Sequence, residues 1–257
     1  MIGTPHERYV EDPVRMWRVL RHAGRIGFTI ERETGSAIEL DRDLLCACSG
    51  ARLFEELNKD LSSGYLSPVF SLLRSYGLLG HILGTPGRII ENDDTAWESL
   101  QARLCQIDAS VRSGRVLSSE IIMAVILWPW ALTVVNEKAE KNGDLLNLLQ
   151  EELMSAAMAA TVPKTLKAGT VQTLYLIDRM FQAIRTGRMR WSLTKRSRYA
   201  DASAVFSLLF RGDLPEEKDA FMRIFRETHP SAAGIGRRWR PQRRRRRKPT
   251  GEQKAGS

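Results

Sequence analysis

The chain has 257 residues and a formal net charge of +9, enough length for one large domain or two small ones and enough basicity to favour a polyanionic partner. Its three cysteines, Cys46, Cys48 and Cys105, cannot all pair and have no histidines at zinc-ligand spacing, which argues against a disulfide scaffold or a zinc module and for buried or partly buried reduced thiols in a cytoplasmic protein. The first residues are polar and lack the apolar run of a secretory signal.

The first predicted helix opens at Asp12, a favourable N-cap, with Pro13 at the first helical position, where its missing N–H costs nothing. Gly24 and Gly27 mark its end, with Gly27 as the C-cap. At roughly 100° per residue, Arg15, Arg18, His22 and Arg25 share one face, and Met16, Val19, Leu20 and Ala23 fall largely opposite. A row of guanidinium forks suits phosphates or base edges. An ordinary solvated basic face satisfies the same spacing.

Further along, Asp41-Arg42-Asp43 reads as an acidic pair at a helix start. Ser67-Pro68 is another cap-plus-proline opening, with Val69, Phe70, Leu72, Leu73 and Tyr76 as a buried stripe before Gly77. Asn92-Asp93-Asp94 reads as a capping loop for a helix carrying Trp97, Leu100, Leu104, Ile107 and Val111 at steps of three and four. The apolar run Ile121 to Val135 is too short for a bilayer and contains Pro129, which predicts a buried helix, kinked or interrupted near Trp128-Pro129-Trp130. No membrane partner is expected.

Asp144 can cap a helix over Leu145 to Ala160, and Pro163 opens one that runs through Leu174, Ile177 and Phe181 to a stop near Gly187. Ser203 to Phe210 and Pro215 to Arg226 read as shorter helices. No stretch alternates with period two, so the fold class is all-α. Residues 231–257 change character: Gly and Pro break helix, and Arg237, Arg238, Arg240, Arg243, Arg244, Arg245, Arg246, Arg247 and Lys248 repel one another. This tail is expected to be disordered in isolation and to attract phosphates without regard to sequence.

Thr4-Pro5-His6-Glu7-Arg8-Tyr9 followed by Glu11-Asp12-Pro13-Val14-Arg15-Met16-Trp17-Arg18-Val19-Leu20-Arg21 resembles the neck entry of bacterial class II nucleotidyltransferases. These are the poly(A) polymerases and their tRNA CCA-adding relatives. The pattern is E-D-P-x-R-x-x-R-x-x-R-F-A, and this chain has His22 where Phe is usual. Ala51 to Lys59 resembles the next neck helix, followed in order by Gly64-Tyr65, Leu72-Leu73 and Tyr76-Gly77-Leu78-Leu79. The resemblance runs, with decreasing clarity, from Ile2 to about Arg211. The arginine-rich tail resembles poly(A) polymerases more than CCA-adding enzymes.

The resemblance implies neck helices over residues 1–90 carrying the nucleotide motif, a helical body with an RNA-binding region over 91–230, and the basic tail over 231–257. It implies that Asp12 accepts from, and Arg15 donates to, the incoming base, with Arg18 holding the nucleotide or supporting Arg15. Asp12 would then serve both as a cap and as a base reader. Glu55, Glu56 and Lys59 are expected to brace the neck as helix-surface pairs at i,i+4. RNA contacts are expected at Lys164, Lys167, Arg185, Arg188, Arg190, Lys195, Arg196 and Arg198, with Trp191 and Tyr199 as stacking rings.

Chemistry is expected from elsewhere. The family transfers AMP from ATP to RNA 3′ ends with Mg²⁺ held by carboxylates of a β-sheet head, and neither a sheet nor its Gly-Ser motif occurs here in the right context. Gly35-Ser36 has no strand beside it, and Asp41-Arg42-Asp43 follows the first neck helix instead of preceding it. The four histidines, His6, His22, His81 and His229, are scattered, and no phosphate loop is present. No catalytic or metal-binding set is therefore expected in this chain, nor ATP or Mg²⁺ bound by it alone. Met1-Ile2-Gly3 resembles an internal stretch of the family, which implies a misassigned or secondary start, or a split gene with a separately encoded head. A CCA-adding fragment and a stand-alone helical RNA-binding adaptor are the alternatives.

Overall fold

A computed structural model describes residues 3–138, 145–187 and 190–209. The expected helix over Pro215 to Arg226, the Asp144 cap and the basic tail lie outside these residues. Among the described residues the regular elements are thirteen α-helices and one 3-10 segment, Arg42–Ala47. The all-α expectation holds.

The chain opens with a helix that the spacing of apolar residues does not announce. In α1 (Pro5–Glu11), the Thr4 side chain accepts from the Glu7 amide, and the Glu7 carboxylate accepts from the Thr4 N–H at 3.1 Å. This reciprocal box satisfies two of the amide donors a helix start otherwise leaves open. Asp12 consequently ends α1 and does not start α2 (Val14–Ile26), whose N-cap position Pro13 takes without a side-chain bond. The conflict between capping and base reading disappears, because the Asp12 side chain is released from the backbone.

Helix α2 stops as expected at Gly27, in the left-handed region at φ 78°. Gly24 lies inside the helix and serves a different purpose. A Cβ there would sit 3.0 Å from the Val69 amide nitrogen and 3.1 Å from the Pro68 carbonyl carbon. Its absence lets α2 cross α5 (Leu66–Ser75) at close range. The start of α5 is capped from a distance: Asp108 accepts from the Leu66 and Ser67 amides at 2.7 and 2.8 Å. Ser67-Pro68 thus lies within the first turn and does not form the cap.

Between them run α3 (Arg32–Asp41) and α4 (Gly50–Leu61), and after them α6 (Leu79–Leu83) and α7 (Thr85–Asn92). Helix α8 (Asp94–Arg112) starts where expected, the Asp93 carboxylate accepting from the Ala96 amide at 3.0 Å, and it buries Leu100, Leu104 and Ile107. Asp41 closes α3 and accepts from His6 at 2.8 Å, and it is also the N-cap residue of the 3-10 segment that carries Asp43 in its first turn, so the expected acidic helix start is present and is tied to α1 as well.

The apolar run forms α9 (Ser119–Lys138), longer than expected and continuous through Pro129. Residues Ser119 to Glu137 have a mean hydropathy of 1.5 and are long enough to span a bilayer, but 61% of the window is buried inside the protein. Helices α7, α8, α11 (Lys164–Thr186) and α13 (Tyr199–Leu209) cover it. Its length does not exclude a span; what makes it a core helix is burial on nearly every side.

Helix α10 (Leu145–Met154) ends short of Ala160, and Ala157 turns the chain at φ 50°. Pro163 and Gly187 bound α11 as expected, and the short α12 (Trp191–Thr194) precedes α13, which begins at Tyr199, ahead of Ser203. Trp128 stacks on Phe181 at 5.6 Å, and Phe181 meets Phe206 at 5.3 Å, joining α9, α11 and α13. One apolar core runs from Tyr9 to Leu209, crossing the expected division near residue 90. All three cysteines are unpaired; Cys46 and Cys105 are exposed and only Cys48 is partly buried, which corrects the expectation of packed thiols.

Candidate nucleotide and RNA interface

The neck site is built by α2 lying against α4. Trp17, Leu20 and Arg21 face α4 and the core, and Arg21 is only 4% exposed. A guanidinium there survives only if paired. Arg21 donates to the carboxylates of Glu56 and Asp60 and, at 2.8 Å, to the Glu56 carbonyl. Trp17 Nε1 donates to Asp60 at 2.7 Å. Arg18 and Lys59 each reach Glu56 Oε1 at 2.9 Å, and Arg25 donates to the Lys59 carbonyl at 3.0 Å.

Glu56 is therefore not the surface brace expected. It is 1% exposed, and its bond to Lys59 spans i,i+3. Burial pushes its carboxyl up, but the donors Arg21, Lys59 and Arg18 outweigh that and hold it at about 2. For Asp60 the balance runs the other way. Burial raises its carboxyl above the usual value despite the Arg21 and Trp17 donors.

Asp12 and Arg15 are brought together at the junction of α1 and α2. Asp12 Oδ2 accepts from Arg52 of α4 at 2.7 Å, with Arg15 Nε 3.7 Å away. Asp12 Oδ1 is buried and has no hydrogen-bond partner among the described residues, an open acceptor that costs stability unless something donates to it. Arg15 is partly exposed and reaches Glu11 at 3.1 Å and the Arg8 carbonyl at 3.4 Å. Glu11 and Arg8 also line an open hollow of about 460 Å³ with Gly3, His6, Glu7 and Val10. Arg18, by contrast, is committed to Glu56.

The RNA-contact candidates separate into groups. Lys164 is exposed at the start of α11, and Lys167 is half-buried, its ammonium pushed to lower pKa by burial. Arg198 is drawn to Glu120 at 3.2 Å and Asp201 at 3.0 Å. Tyr199 is buried and presents no ring to a base. Arg190, Lys195 and Arg196 are exposed, and so is Trp191. The Arg185 side chain, Arg188 and Arg243 to Arg247 lie outside the described residues.

Sequence reasoning missed Arg52 as the partner of Asp12, and it missed Tyr175 and Arg179 on α11. Arg52 sits in the quoted block Ala51 to Lys59, so the signal was present. The i,i+4 pair Tyr175–Arg179 was legible from spacing alone. Among the described residues no three His, Cys, Asp or Glu side chains converge as metal ligands.

Residues 27–87 match the family model described as "Probable RNA and SrmB- binding site of polymerase A". That span runs from the Gly27 cap of α2 to Gly87 in α7. Poly(A) polymerase I of Escherichia coli is 30% identical over 215 residues, covering 81% of this chain and 46% of the relative. The Salmonella typhi poly(A) polymerase I is 31% identical over 216 residues, with 81% and 45% covered. A CCA-adding enzyme of Bacillus velezensis is 31% identical over 105 residues, 40% of this chain and 26% of the relative. The chain spans about half the length of the poly(A) polymerases it matches. With the neck motif, the helical fold and these likenesses together, the chain belongs to the family of bacterial poly(A) polymerases and CCA-adding nucleotidyltransferases.

Proposed function

We propose that this chain is the neck and body portion of a bacterial poly(A) polymerase, acting in the cytoplasm to select the adenine of ATP and to hold an RNA 3′ end for adenylation. The observation that carries the reading is the buried, unsatisfied acceptor Asp12 Oδ1 beside the partly exposed Arg15 guanidinium. On the pairing edge an amino group beside an acceptor ring nitrogen matches one acceptor and one donor; adenine and cytosine both present that pair, and guanine and uracil do not. Arg52 holds the other Asp12 oxygen and so fixes the orientation of the carboxylate. The poly(A) polymerase likeness extends over twice as much of the chain as the CCA-adding one, which favours the first specificity.

Among the described residues no three His, Cys, Asp or Glu side chains converge as ligands for Mg²⁺. The carboxylates for the chemistry come from a head, in the same polypeptide or a separate one. Calorimetric titration of ATP, CTP and GTP into the chain tests base selection: ATP binding that weakens in D12A and R15A is expected, and equal affinity for all three nucleotides would overturn it. Incubation with ATP, Mg²⁺ and an RNA primer should give binding without extension. Robust tailing by the chain alone would sink the division of labour.

A further inference from the structure

We propose that α11 and α12 carry a platform for single-stranded RNA, built on the Tyr175 and Trp191 rings and separate from residues 27–87. The proposal rests on the RNA-binding reading above and names a place for it in the body.

Tyr175 and Arg179 lie one turn apart on α11, and the Arg179 guanidinium sits 5.3 Å from the Tyr175 ring centroid. Arg196, from the turn after α12, approaches the same ring, also at 5.3 Å. Next to Arg196 in the chain, Lys195 lies 5.5 Å from the Trp191 ring, and Trp191 is 55% exposed. Two cation–aromatic units are thus joined through the adjacent residues Lys195 and Arg196; the Tyr175 ring is partly buried against the core, and Trp191 is the exposed ring.

The charge balance is unusual. Arg179 holds Asp178 at 3.0 Å. For Arg190, Lys195 and Arg196 no carboxylate partner occurs among the described residues, although Arg198, two positions on, has two. Arg179 thus has a carboxylate beside it, whereas Arg196 on the same ring is left with charge that an anion can use. A lone anion would use the charges but not the rings. Single-stranded RNA uses both, because phosphates meet the cations and an unpaired base stacks on the exposed indole whatever its identity. A duplex keeps its bases inside and cannot reach Trp191 in that way.

The test measures binding of labelled single-stranded and blunt-ended duplex RNA to the whole chain, to W191A and to K195A/R196A by fluorescence anisotropy. The tail arginines are common to all three proteins, so differences report on this surface. W191A is expected to weaken single-strand binding about tenfold and leave duplex binding unchanged. K195A/R196A should lower the log–log salt slope for single strands by about 1.4, two charges at about 0.7 each. Ultraviolet cross-linking of the unmodified chain should label the peptide that carries Trp191. If the unmodified chain binds RNA while W191A binds as well and the cross-links fall elsewhere, the platform is wrong and the RNA reading stands. Equal losses for duplex and single strand in W191A also overturn it. No RNA binding by the unmodified chain would remove both.

Discussion

Arginines on α2 and arginines around α12 are equally dense in the sequence, yet they meet opposite surroundings. On α2, Arg18 and Arg21 face carboxylates of α4, and Arg21 is sealed inside the protein with them. Around α12, Arg196 and Lys195 face aromatic rings and remain exposed. The first set holds two helices together and thereby sets the entry to the Asp12–Arg15 pair. The second has charge to spare for a partner. A basic stripe therefore says little by itself; what lies across from each guanidinium decides whether it is scaffold or binding surface.

The sharpest way to break this contrast is Glu56→Ala, which removes one of the two carboxylates that hold the buried Arg21 and leaves Asp60. A loss of about 1–3 kcal/mol is expected in urea unfolding, the cost of leaving one buried guanidinium donor without its acceptor while Asp60 still balances the charge. A loss below about 1 kcal/mol would mean that the network is not structural. Asp12→Ala should separate recognition from stability. It removes an acceptor worth about 1.5–3 kcal/mol to a bound base, a tenfold or greater drop in ATP affinity. Its partially exposed pair with Arg52 contributes no more than about 1 kcal/mol to folding, so the melting temperature should move little. A collapse of the fold in Asp12→Ala would reassign Asp12 to the scaffold.

Acid titration probes the same network. Glu56 is held at about 2 against an ordinary 4.5. Its contribution is fully present above the ordinary value and is lost as the pH falls from about 4.5 to about 2. Asp60, raised by burial, works in the opposite sense, since its protonation favours the folded state as the pH drops. Glu56→Gln should flatten the acid limb of the stability curve; an unchanged limb would assign acid unfolding to other carboxylates. The smallest effects come from neighbours in the body. Arg198→Ala, which frees Glu120 and Asp201, should cost up to about 1 kcal/mol of stability. Arg196→Ala should cost almost none and lower the salt dependence of RNA binding instead. Reversed outcomes would exchange the two roles.

Much of the fold is legible without coordinates because its signals are local. Gly27 and Gly187 end helices in the left-handed conformation, and Asp93 caps α8 with its own side chain. The period of Leu100, Leu104 and Ile107 places the inward face of α8. The failures are equally specific. Asp12 looked like a cap because it precedes a proline, but the Thr4–Glu7 box had already placed a helix ahead of it. Glu56 looked like a surface residue because glutamate usually is one. Its burial depends on Arg21, 35 residues away, and a helical period cannot see that distance.

The sequence alone determined the helical class, several helix ends and the motif that marks the family, since each follows from backbone preferences and residues within one turn of each other. The tertiary structure decided which charges are spent and which are open. Among the described residues Asp12 Oδ1 lacks a donor because Arg52 of α4 occupies only the other oxygen. Arg21 is scaffold because α4 brings two carboxylates to it, and Arg196 is surface because α11 brings it a ring. Pairing of a charge depends on what approaches from another part of the chain, and that is settled only when the helices pack.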